Sequence, residues 1–377
     1  MHQLQISLNG SKRTSKIQIG PGSRHHLAQL ISRSHQLKPR RVLVISNKRV
    51  FRLYGADIVD SLKQSNFQIF EWLMSEGERF KSFRSLEKAV EFLGKNGFER
   101  NDLVVALGGG VVGDLAGFAA SVYLRGVPFI QIPTTLLSQI DSSVGGKTGI
   151  NLPVGKNMVG AFYQPPFVLI DTETLLTLPR RELVAGFCEM VKHGLIASPK
   201  LFKSTVKTLK RFASDQTVIQ SDEFETLITA NCKFKASIVA NDERESTERA
   251  DVKSRRILNF GHTTAHALEA ITNYRVFRHG EAVGYGMLVA GEISKNLGLL
   301  APAESEALRE AVSLCGRLPK ASHLDINQII SSLQHDKKSV AGKIKWVLLE
   351  GIGSPKIVDG GQVRADVLRL SLRTALQ

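Results

Sequence analysis

The stretch DLVVALGGGVVGD (residues 102–114) decides the fold, because it joins a buried strand directly to a glycine-rich turn. Gly108, Gly110 and Gly113 satisfy the pattern G-x-G-x-x-G between this strand and a following helix. Glycines let the backbone approach a pyrophosphate, and helix N-terminal amides bind its charge. The motif comes late in the chain, however, and no acidic residue follows at the usual spacing of about 20 positions. The motif therefore favours phosphate or dinucleotide binding over a purely structural turn. Its position in the chain does not follow the usual order of a Rossmann domain.

Strand and helix patterns alternate on both sides of this turn. Apolar runs predict strands over 41–46, 67–73, 127–132 and 167–171, and helices over 51–64 and 85–96. This order, with short connections, predicts a parallel sheet covered by helices. From residue 179 the apolar spacing becomes helical. We therefore predict an atypical Rossmann-like α/β domain over 1–178 and an all-α domain over 179–377.

Composition points to a soluble cytoplasmic protein. Of the 377 residues, 42% are hydrophobic and 23% are charged, as in ordinary globular proteins. No apolar run approaches the length of a membrane span, and the N-terminus lacks the apolar region of a secretory signal. Cys188, Cys232 and Cys315 are few and widely spaced, which fits reduced thiols better than disulfides.

The formal net charge of +15 raises the possibility of nucleic-acid binding. The lysines and arginines are scattered, however, and no basic tract or nucleic-acid module can be recognised. A positive field steers a small anionic substrate equally well. We expect neither nucleic acid nor a membrane as a partner.

The stretch NFGHTTAHALEAITNYRVFRHGE (residues 259–281) concentrates the histidines. His262 and His266 are four residues apart, so a helix places them on one face, in a polar row with Asn259 and Glu269. Two imidazoles at this spacing often bind zinc, but the motif HExxH is missing. From this stretch alone, a metal site and a solvated polar face both remain open.

Two other segments carry polar patterns. The Gly-, Ser- and Lys-rich segment IDSSVGGKTGINLPVGKNMVGAF (residues 140–162) has too few apolar side chains for core, and its ammonium, hydroxyl and amide groups suit a phosphate. It does not match the P-loop pattern. RRELVAGFCEMVKHGLI (residues 180–196) is a helix on which Glu189 and Lys192 lie on one face. A charge pair on a solvated face is the ordinary explanation of that spacing.

Seven strings, read together, resemble the 3-dehydroquinate synthase family. In family order, from about residue 75 to 345, they are GGGVVGDLAGF, FIQIPTTLLSQIDSSVGGKTGIN, GKNMVGAFYQP, LPRRELVAGFCEMVKHG, NDERE, LNFGHTTAHALEA and HGEAVGYGM. The resemblance implies an N-terminal α/β NAD-binding domain, a helical domain that binds metal and substrate, and a homodimer. It also implies a carbon–oxygen lyase that converts 3-deoxy-D-arabino-heptulosonate 7-phosphate to 3-dehydroquinate and phosphate. NAD would oxidise a substrate hydroxyl before phosphate elimination and would be regenerated afterwards.

The resemblance also assigns site residues. The ligands of one zinc or cobalt ion would be Glu189, His262 and His279, which makes His266 a catalytic or substrate-contacting residue and not a ligand. The phosphate-site residues would be Lys147, Asn157, Asn259 and, from the second subunit, Arg125. The residues around the substrate hydroxyls and carboxylate would be Asp141, Lys192, Lys235, Arg255 and one of Lys337 and Lys338. The NAD contacts would be Glu76, Gly77, Glu78, Arg79, Phe80, Lys81, Gly110, Val111, Val112, Gly113, Asp114, Thr134, Thr135, Asp141, Lys147, Lys156, Thr174, Leu175, Leu176 and Thr177.

Departures from the family pattern leave some alternatives. The segment 246–254 (STERADVKS) is several residues longer than the same segment in the family. Because this insertion can shift the alignment by one position, Arg256 is an alternative to Arg255 as the substrate-site arginine. This polar stretch lacks an apolar period and predicts an exposed loop. A sister sugar-phosphate cyclase and a metal-dependent NAD polyol dehydrogenase are the other candidate functions. The dehydrogenase would leave the lysines of the phosphate site unexplained.

Overall fold

The structure is a computed structural model that describes residues 1–7, 14–335 and 344–377. The chain divides into two compact units, Met1–Leu178 and Pro179–Gln377. Within the described residues, no helix combines the length and the apolar character needed to cross a membrane.

The first unit is built on a parallel sheet flanked by helices. Its strands are β1 (His2–Ser7), β2 (Thr14–Ile19), β3 (Arg41–Asn47), β4 (Gln68–Met74), β5 (Leu103–Gly108), β6 (Phe129–Pro133), β7 (Lys147–Leu152), β8 (Gly155–Phe162) and β9 (Phe167–Ile170). Its helices are α1 (Leu27–Arg33), α2 (Lys48–Gln64), α3 (Phe83–Lys95) and α4 (Gly110–Val122). Seven strands form one sheet in the order β1-β2-β9-β6-β5-β3-β4, parallel except for the pair β1–β2.

Both faces of this sheet are covered, as parallel sheets require. Leu43 and Ile45 point into one apolar cluster with residues of α3 and α4, whereas Val42 and Val44 point into another with residues of α1 and α2. Because β3 is buried on both faces, its sequence is a continuous apolar run and not an alternation. The predicted parallel α/β architecture is confirmed.

Strands β7 and β8 form a separate antiparallel hairpin that sequence analysis did not predict. Gly149 faces Gly160, and a Cβ added to either would lie 2.6 Å and 2.0 Å, respectively, from a carbonyl oxygen of the opposite strand. The glycines that permit this close approach also remove the apolar alternation by which a strand is recognised.

The second unit is predominantly helical. Its helices are α5 (Arg180–Ala197), α6 (Pro199–Ser214), α7 (Asp222–Asn241), α8 (His262–Ile271), α9 (His279–Asn296), α10 (Pro302–Cys315), α11 (Ile326–His335) and α12 (Ala365–Leu376). The predicted helical character is confirmed, and the structure adds a small antiparallel hairpin of β10 (Lys345–Leu349) and β11 (Pro355–Asp359).

Helix α9 closely approaches α5 at one glycine and the turn before α8 at another. A Cβ on Gly280 would lie 1.9 Å from the carbonyl oxygen of Ala185, and a Cβ on Gly286 would lie 1.9 Å from that of Gly261. Real Cβ atoms do not approach an oxygen so closely, so only glycine allows the backbones to meet at these two points. The small residues of α9 therefore bring its backbone against the turns that carry the site described below.

All three cysteines of the chain lie in the interior of the helical unit, and none of them forms a disulfide. Hydrogen bonding to Cys315 and burial raise the pKa of the Cys188 thiol well above its ordinary value. This arrangement agrees with the expectation of reduced cysteines.

The polar stretch 246–254 is exposed over most of its length, as expected for a surface loop. Residues 246–248 and 250–253 are exposed, and hydrogen bonds hold both ends, with Arg249 also donating to the Asn241 carbonyl oxygen at 2.6 Å. At one end the Ser246 amide donates to Asp242 Oδ1 at 2.9 Å, and at the other the buried Ser254 hydroxyl accepts from the Arg256 amide. The middle of the loop therefore contributes little to the core.

Deleting residues 247–252 should leave the fold and the metal content unchanged. The expected change in the free energy of unfolding is within about 1 kcal/mol, because exposed loop residues contribute little and a shorter loop costs less entropy to close. Thermal unfolding followed by circular dichroism, with metal analysis of the purified protein, would measure both quantities. A variant with a Gly/Ser segment of equal length is the control. Loss of cooperative unfolding on deletion alone would show that the loop is packed structure.

Candidate active site

A fully buried carboxylate lies at the centre of the helical unit. Glu189 is on α5, whose residues from Leu183 to Ile196 are all buried. Its Oε2 atom lies 2.6 Å from the ammonium of Lys192, which is itself 1% exposed. The interpretation of this pair as a charge pair on a solvated face is therefore wrong. The surrounding helices cover the polar face of α5 as well as its apolar face, and a buried ion pair is costly unless further groups compensate it.

Three imidazoles lie close together in the same unit. His262 is the first residue of α8, His266 lies one turn later, and His279 is the first residue of α9. The ring centroids of His262 and His279 are 5.1 Å apart, and those of His266 lie 5.6 and 6.1 Å from the two. The close approach of α9 to Gly261 thus brings the third histidine to the pair that the sequence spacing indicated.

Two of these rings converge on the buried carboxylate. The Nε2 atoms of His262 and His279 lie 4.0 and 3.7 Å from Glu189 Oε1. One ligand atom of each of the three residues lies within 4.8 Å of the others, and His266 is not in this group. Glu189 Oε1 is buried without a hydrogen bond in the described part of the chain. In a tetrahedral site with bonds of about 2.0–2.2 Å, ligand atoms are about 3.3–3.6 Å apart, so this N/N/O set fits one small divalent cation.

Each of the two converging rings has a hydrogen-bond acceptor at its Nδ1 atom, on the side away from Glu189. His279 Nδ1 lies 3.4 Å from the carboxylate of buried Glu269, and His262 Nδ1 lies 3.2 Å from the carbonyl oxygen of Phe260. An acceptor at Nδ1 places the proton there and leaves Nε2 as the donor atom for a metal. Sequence analysis treated Glu269 only as part of a polar helix face and missed this contact.

The predicted polar row is wrong at its first member. Asn259 lies in the short 3-10 helix Arg255–Asn259, which precedes Gly261, and its amide donates to Glu245 Oε1 at 2.8 Å. Gly261 adopts φ 78°, so the chain reverses there before α8 begins. Asn259 therefore does not lie on the face of α8 that carries His262 and His266.

The two arginines at the end of the inserted loop have different surroundings. Arg255 is buried, and its guanidinium donates to the carbonyl oxygen of Glu243 at 2.7 Å. Arg256 is partly exposed, and its guanidinium donates to the carbonyl oxygen of Thr247 at 3.1 Å. Of the two candidates, Arg255 is therefore the buried one and Arg256 the more exposed one.

Lys192 and Lys235 lie on helices that a buried polar pair connects. His193 Nδ1 on α5 is 3.1 Å from Asn231 Oδ1 on α7, and both side chains are fully buried. Each lysine is within one turn of a member of this pair, and Lys235 is itself buried. Sequence analysis did not single out this pair, because one histidine and one asparagine in separate helices give no pattern.

The glycine turn of the first unit has the predicted strand–turn–helix form. β5 ends at Gly108 and α4 begins at Gly110. The Thr134 amide donates to the Gly108 carbonyl at 3.0 Å, and a Cβ on Gly109 would lie 3.0 Å from Thr135 Cγ2. The structure therefore brings the glycine turn and the two threonines together at the carboxyl ends of β5 and β6.

A buried lysine forms a second cluster in this unit. Lys81 Nζ donates to Asp114 Oδ2 at 2.5 Å and to the side-chain oxygen of Asn157. Burial alone would lower the pKa of Lys81, but the carboxylates of Asp114 and Glu78 outweigh it, and the pKa is raised. Asn151, which sequence analysis missed, donates to Glu78 Oε1 at 2.8 Å and accepts from the Asn157 amide at 2.9 Å.

The remaining predicted residues of this unit are placed as follows. Arg125 ends a turn in which Leu124, Arg125 and Gly126 have φ of 48°, 65° and 125°. Lys147 begins β7 and is exposed, Lys156 is on β8, and Asp141 is in the π-helical turn Ser138–Ser142. The segment 174–177 lies in the 3-10 helix Thr172–Thr177, and Glu76, Gly77, Arg79 and Phe80 lie around the 3-10 helix Glu78–Phe80. Lys337 and Lys338 lie outside the described residues.

Some predicted cofactor contacts are limited to the main chain. The side chains of Val112 and Leu175 are buried in apolar surroundings. A ligand on the surface of this unit can therefore reach only their backbone groups, whereas Leu176 and Thr177 are exposed.

Comparison with known proteins shows similarity along almost the whole chain. Residues 71–185 match the family model described as 3-dehydroquinate synthase N-terminal, and residues 186–339 match 3-dehydroquinate synthase C-terminal. The chain is 42% identical over 359 residues to the 3-dehydroquinate synthase of Rippkaea orientalis, covering 94% of this chain and 93% of that one. It is 42% identical over 373 residues to the 3-dehydroquinate synthase of a Nostoc species, covering 98% of each.

Solved structures of related cyclases have a similar fold. A 2-deoxy-scyllo-inosose synthase complexed with carbaglucose-6-phosphate, NAD+ and Co2+ is 25% identical, with a TM-score of 0.84 over 99% of this chain and all of that one. The 2-epi-5-epi-valiolone synthase of Streptomyces hygroscopicus subsp. jinggangensis, with NAD+ and Zn2+ bound, is 26% identical, with the same TM-score over 98% of each chain. Glycerol dehydrogenase from Schizosaccharomyces pombe, at 18% identity and a TM-score of 0.65, shares the fold alone. The two matching family models and the near-complete coverage of 42% identical relatives establish that this chain belongs to the 3-dehydroquinate synthase family.

Proposed function

We propose that this chain is a 3-dehydroquinate synthase, a lyase that converts 3-deoxy-D-arabino-heptulosonate 7-phosphate to 3-dehydroquinate and inorganic phosphate. The observation that carries the proposal is the convergence of His262 and His279 on the buried carboxylate of Glu189 in a chain of this family. The reaction would supply a shikimate-type route to aromatic amino acids. The cytoplasm is the proposed location, because none of the three cysteines forms a disulfide.

Glu189, His262 and His279 would hold one divalent ion, zinc or cobalt, and the segments named above would hold NAD. When bound, the ion supplies positive charge for a substrate alkoxide and NAD supplies a hydride acceptor that later returns the hydride. Lys192 keeps a cation beside Glu189 in the interior, and an ammonium group at this position suits a substrate hydroxyl. Arg255, held by the Glu243 carbonyl, suits the substrate carboxylate.

His266 is the proposed group for proton transfer. Its ring lies beside both proposed ligand rings but outside the set of converging ligand atoms. It is partly exposed and so remains accessible to a substrate. A histidine in such a position can accept and return a proton near neutral pH.

Lys147, Asn157, Asn259 and Arg125 are proposed to bind the phosphate group. Asn157 uses its side-chain oxygen to accept from Lys81, which leaves amide N–H groups for an anion. The left-handed turn at Arg125 holds this residue at the surface end of a helix, and we propose that it acts in the partner subunit of a homodimer. Oligomerisation is part of the proposal, and so is the assignment of one lysine of the pair Lys337 and Lys338.

Two other functions of this fold differ in their products. A sister cyclase would use another sugar phosphate, but the relatives named for such reactions are only 25–26% identical, against 42% for the dehydroquinate synthases. A polyol dehydrogenase would release one NADH for each substrate molecule. The identity level favours dehydroquinate synthase over both.

The purified protein, given catalytic NAD+ and Co2+ with the heptulosonate phosphate, should release phosphate and dehydroquinate in equal amounts. NADH absorbance should not accumulate, because the hydride returns to the substrate within each turnover. Phosphate release and the dehydroquinate absorbance would be followed together. Steady accumulation of NADH would instead favour a dehydrogenase, and turnover of glucose 6-phosphate but not of the heptulosonate would favour a sister cyclase.

A further inference from the structure

A buried glutamine joins two segments of the first unit. Gln139 lies in the π-helical turn Ser138–Ser142, and its side chain is 0% exposed. Its Nε2 atom donates to the carbonyl oxygen of Asp171 at 2.9 Å and to Thr174 Oγ1 at 3.0 Å. The carbonyl oxygen of Pro133 is a third acceptor at 3.3 Å. A carboxamide has two N–H hydrogens, so one of them is shared between two of these three oxygens.

The joined segments follow neighbouring strands. Pro133 ends β6 and leads into Thr134 and Thr135, whereas Asp171 follows β9 and leads into the segment 174–177. β6 and β9 are paired in parallel near their starts. Ligands of α/β sheets bind beyond the carboxyl ends of such strands. Gln139 therefore spans the edge of the sheet at which the dinucleotide is proposed to lie.

Further hydrogen bonds hold the far side of this connection. The buried carboxylate of Asp171 accepts from the Gly22 amide at 3.0 Å and from the Arg24 guanidinium at 2.6 Å. The Tyr54 hydroxyl donates to the Thr174 carbonyl at 3.2 Å. Asp171 and Thr174 are thus fixed from outside, and the Gln139 amide transmits their position to the end of β6.

We infer that Gln139 is a positioning residue for the dinucleotide. Its amide sets the separation between the segment of Thr134 and Thr135 and the segment 174–177, and it does not touch the dinucleotide because its side chain has no exposed surface. This inference rests on the proposed function. Without the amide, the two segments relax in the free protein, and NAD+ binding must restore their separation.

The test compares two substitutions of Gln139 with a buried control in the other unit. Gln139→Met keeps the approximate volume but has no donor, and Gln139→Glu directs a carboxylate at three acceptor oxygens. The control is Thr205→Val, which removes a buried hydroxyl bonded to the Leu201 carbonyl at 2.9 Å. For each full-length protein, NAD+ affinity is measured by calorimetry, stability by thermal unfolding without NAD+, and turnover as a function of NAD+ concentration.

Both Gln139 variants should bind NAD+ about tenfold to a hundredfold more weakly than the parent. Turnover at saturating NAD+ should stay within about twofold of the parent, since the reacting groups are intact. Thr205→Val should unfold at a lower temperature with the parent's NAD+ affinity. Unchanged NAD+ affinity in Gln139→Met, or an equal loss in Thr205→Val, would overturn the inference alone. A parent protein that binds no NAD+ would overturn the proposed function, and the inference with it.

Discussion

Glu189→Gln should lose its bound metal and with it at least about a thousandfold of its activity. The substitution keeps the shape of the side chain but removes the anionic ligand, and the stabilisation that a bound ion supplies is worth several kcal/mol. Glu189 is fully buried, so solvent does not compensate for the loss of the anionic ligand. His262→Ala and His279→Ala each remove one of the two converging Nε2 atoms and should have the same effect. Metal per chain would be measured by mass spectrometry on each purified variant.

His266→Ala is the matched control for these three variants. It removes an imidazole from the same cluster but not from the set of converging ligand atoms. The metal should stay bound while turnover falls by about a hundredfold to ten-thousandfold, the usual contribution of a general acid–base group. If His266→Ala lost its metal and His279→Ala kept it, the ligands would instead be the pair on one face of α8. Circular dichroism would verify that every variant is folded.

Gly286→Ala should destabilise the helical unit by about 3 kcal/mol or more. The added methyl would lie 1.9 Å from the carbonyl oxygen of Gly261 and 2.8 Å from its carbon, and these are backbone atoms that no rotamer change can move. Because Gly261 immediately precedes His262, separating the two segments also displaces a proposed metal ligand. We therefore expect a lower urea midpoint together with a lower metal content.

Gly291→Ala provides a control on the same helix. Its methyl would lie 3.0 Å from Leu308 Cδ1, which is the end of a side chain that can rotate. Alanine also favours helix by up to about 1 kcal/mol relative to glycine, which offsets a small repacking cost. The free energy of unfolding should stay within about 1 kcal/mol of the parent. Equal losses in the two variants would show that crowding at Gly286 is not the cause.

The sequence predicted the order of strands and helices wherever apolar periodicity is strong. β3 and β5 contain continuous apolar runs, β6 is interrupted only by Gln131, and each lies in the interior of a parallel sheet. The β7–β8 hairpin was missed because close backbone contact at Gly149 and Gly160 requires residues without side chains. From the sequence pattern alone, glycines at these positions indicate turns and not strands.

The site was predicted in part, and the errors have one physical origin. Helical spacing correctly associated His262 with His266, but it could not supply His279, which comes from the start of another helix. Glu189 and Lys192 were correctly predicted to form a charge pair. The prediction that this pair is solvated was wrong, because its burial depends on how many helices surround α5. Gln139 and Glu269 act through residues far away in sequence, and no local pattern marks them.

The burial of every native thiol makes this chain a suitable host for a single spectroscopic label. Cys188, Cys232 and Cys315 have no surface for a maleimide to reach, and the raised pKa of Cys188 keeps its thiol in the unreactive protonated form. A cysteine introduced at Glu248, in the exposed loop, would therefore react first and alone in the native protein. A fluorophore attached there would follow ligand titrations of the helical unit without removal of any native cysteine.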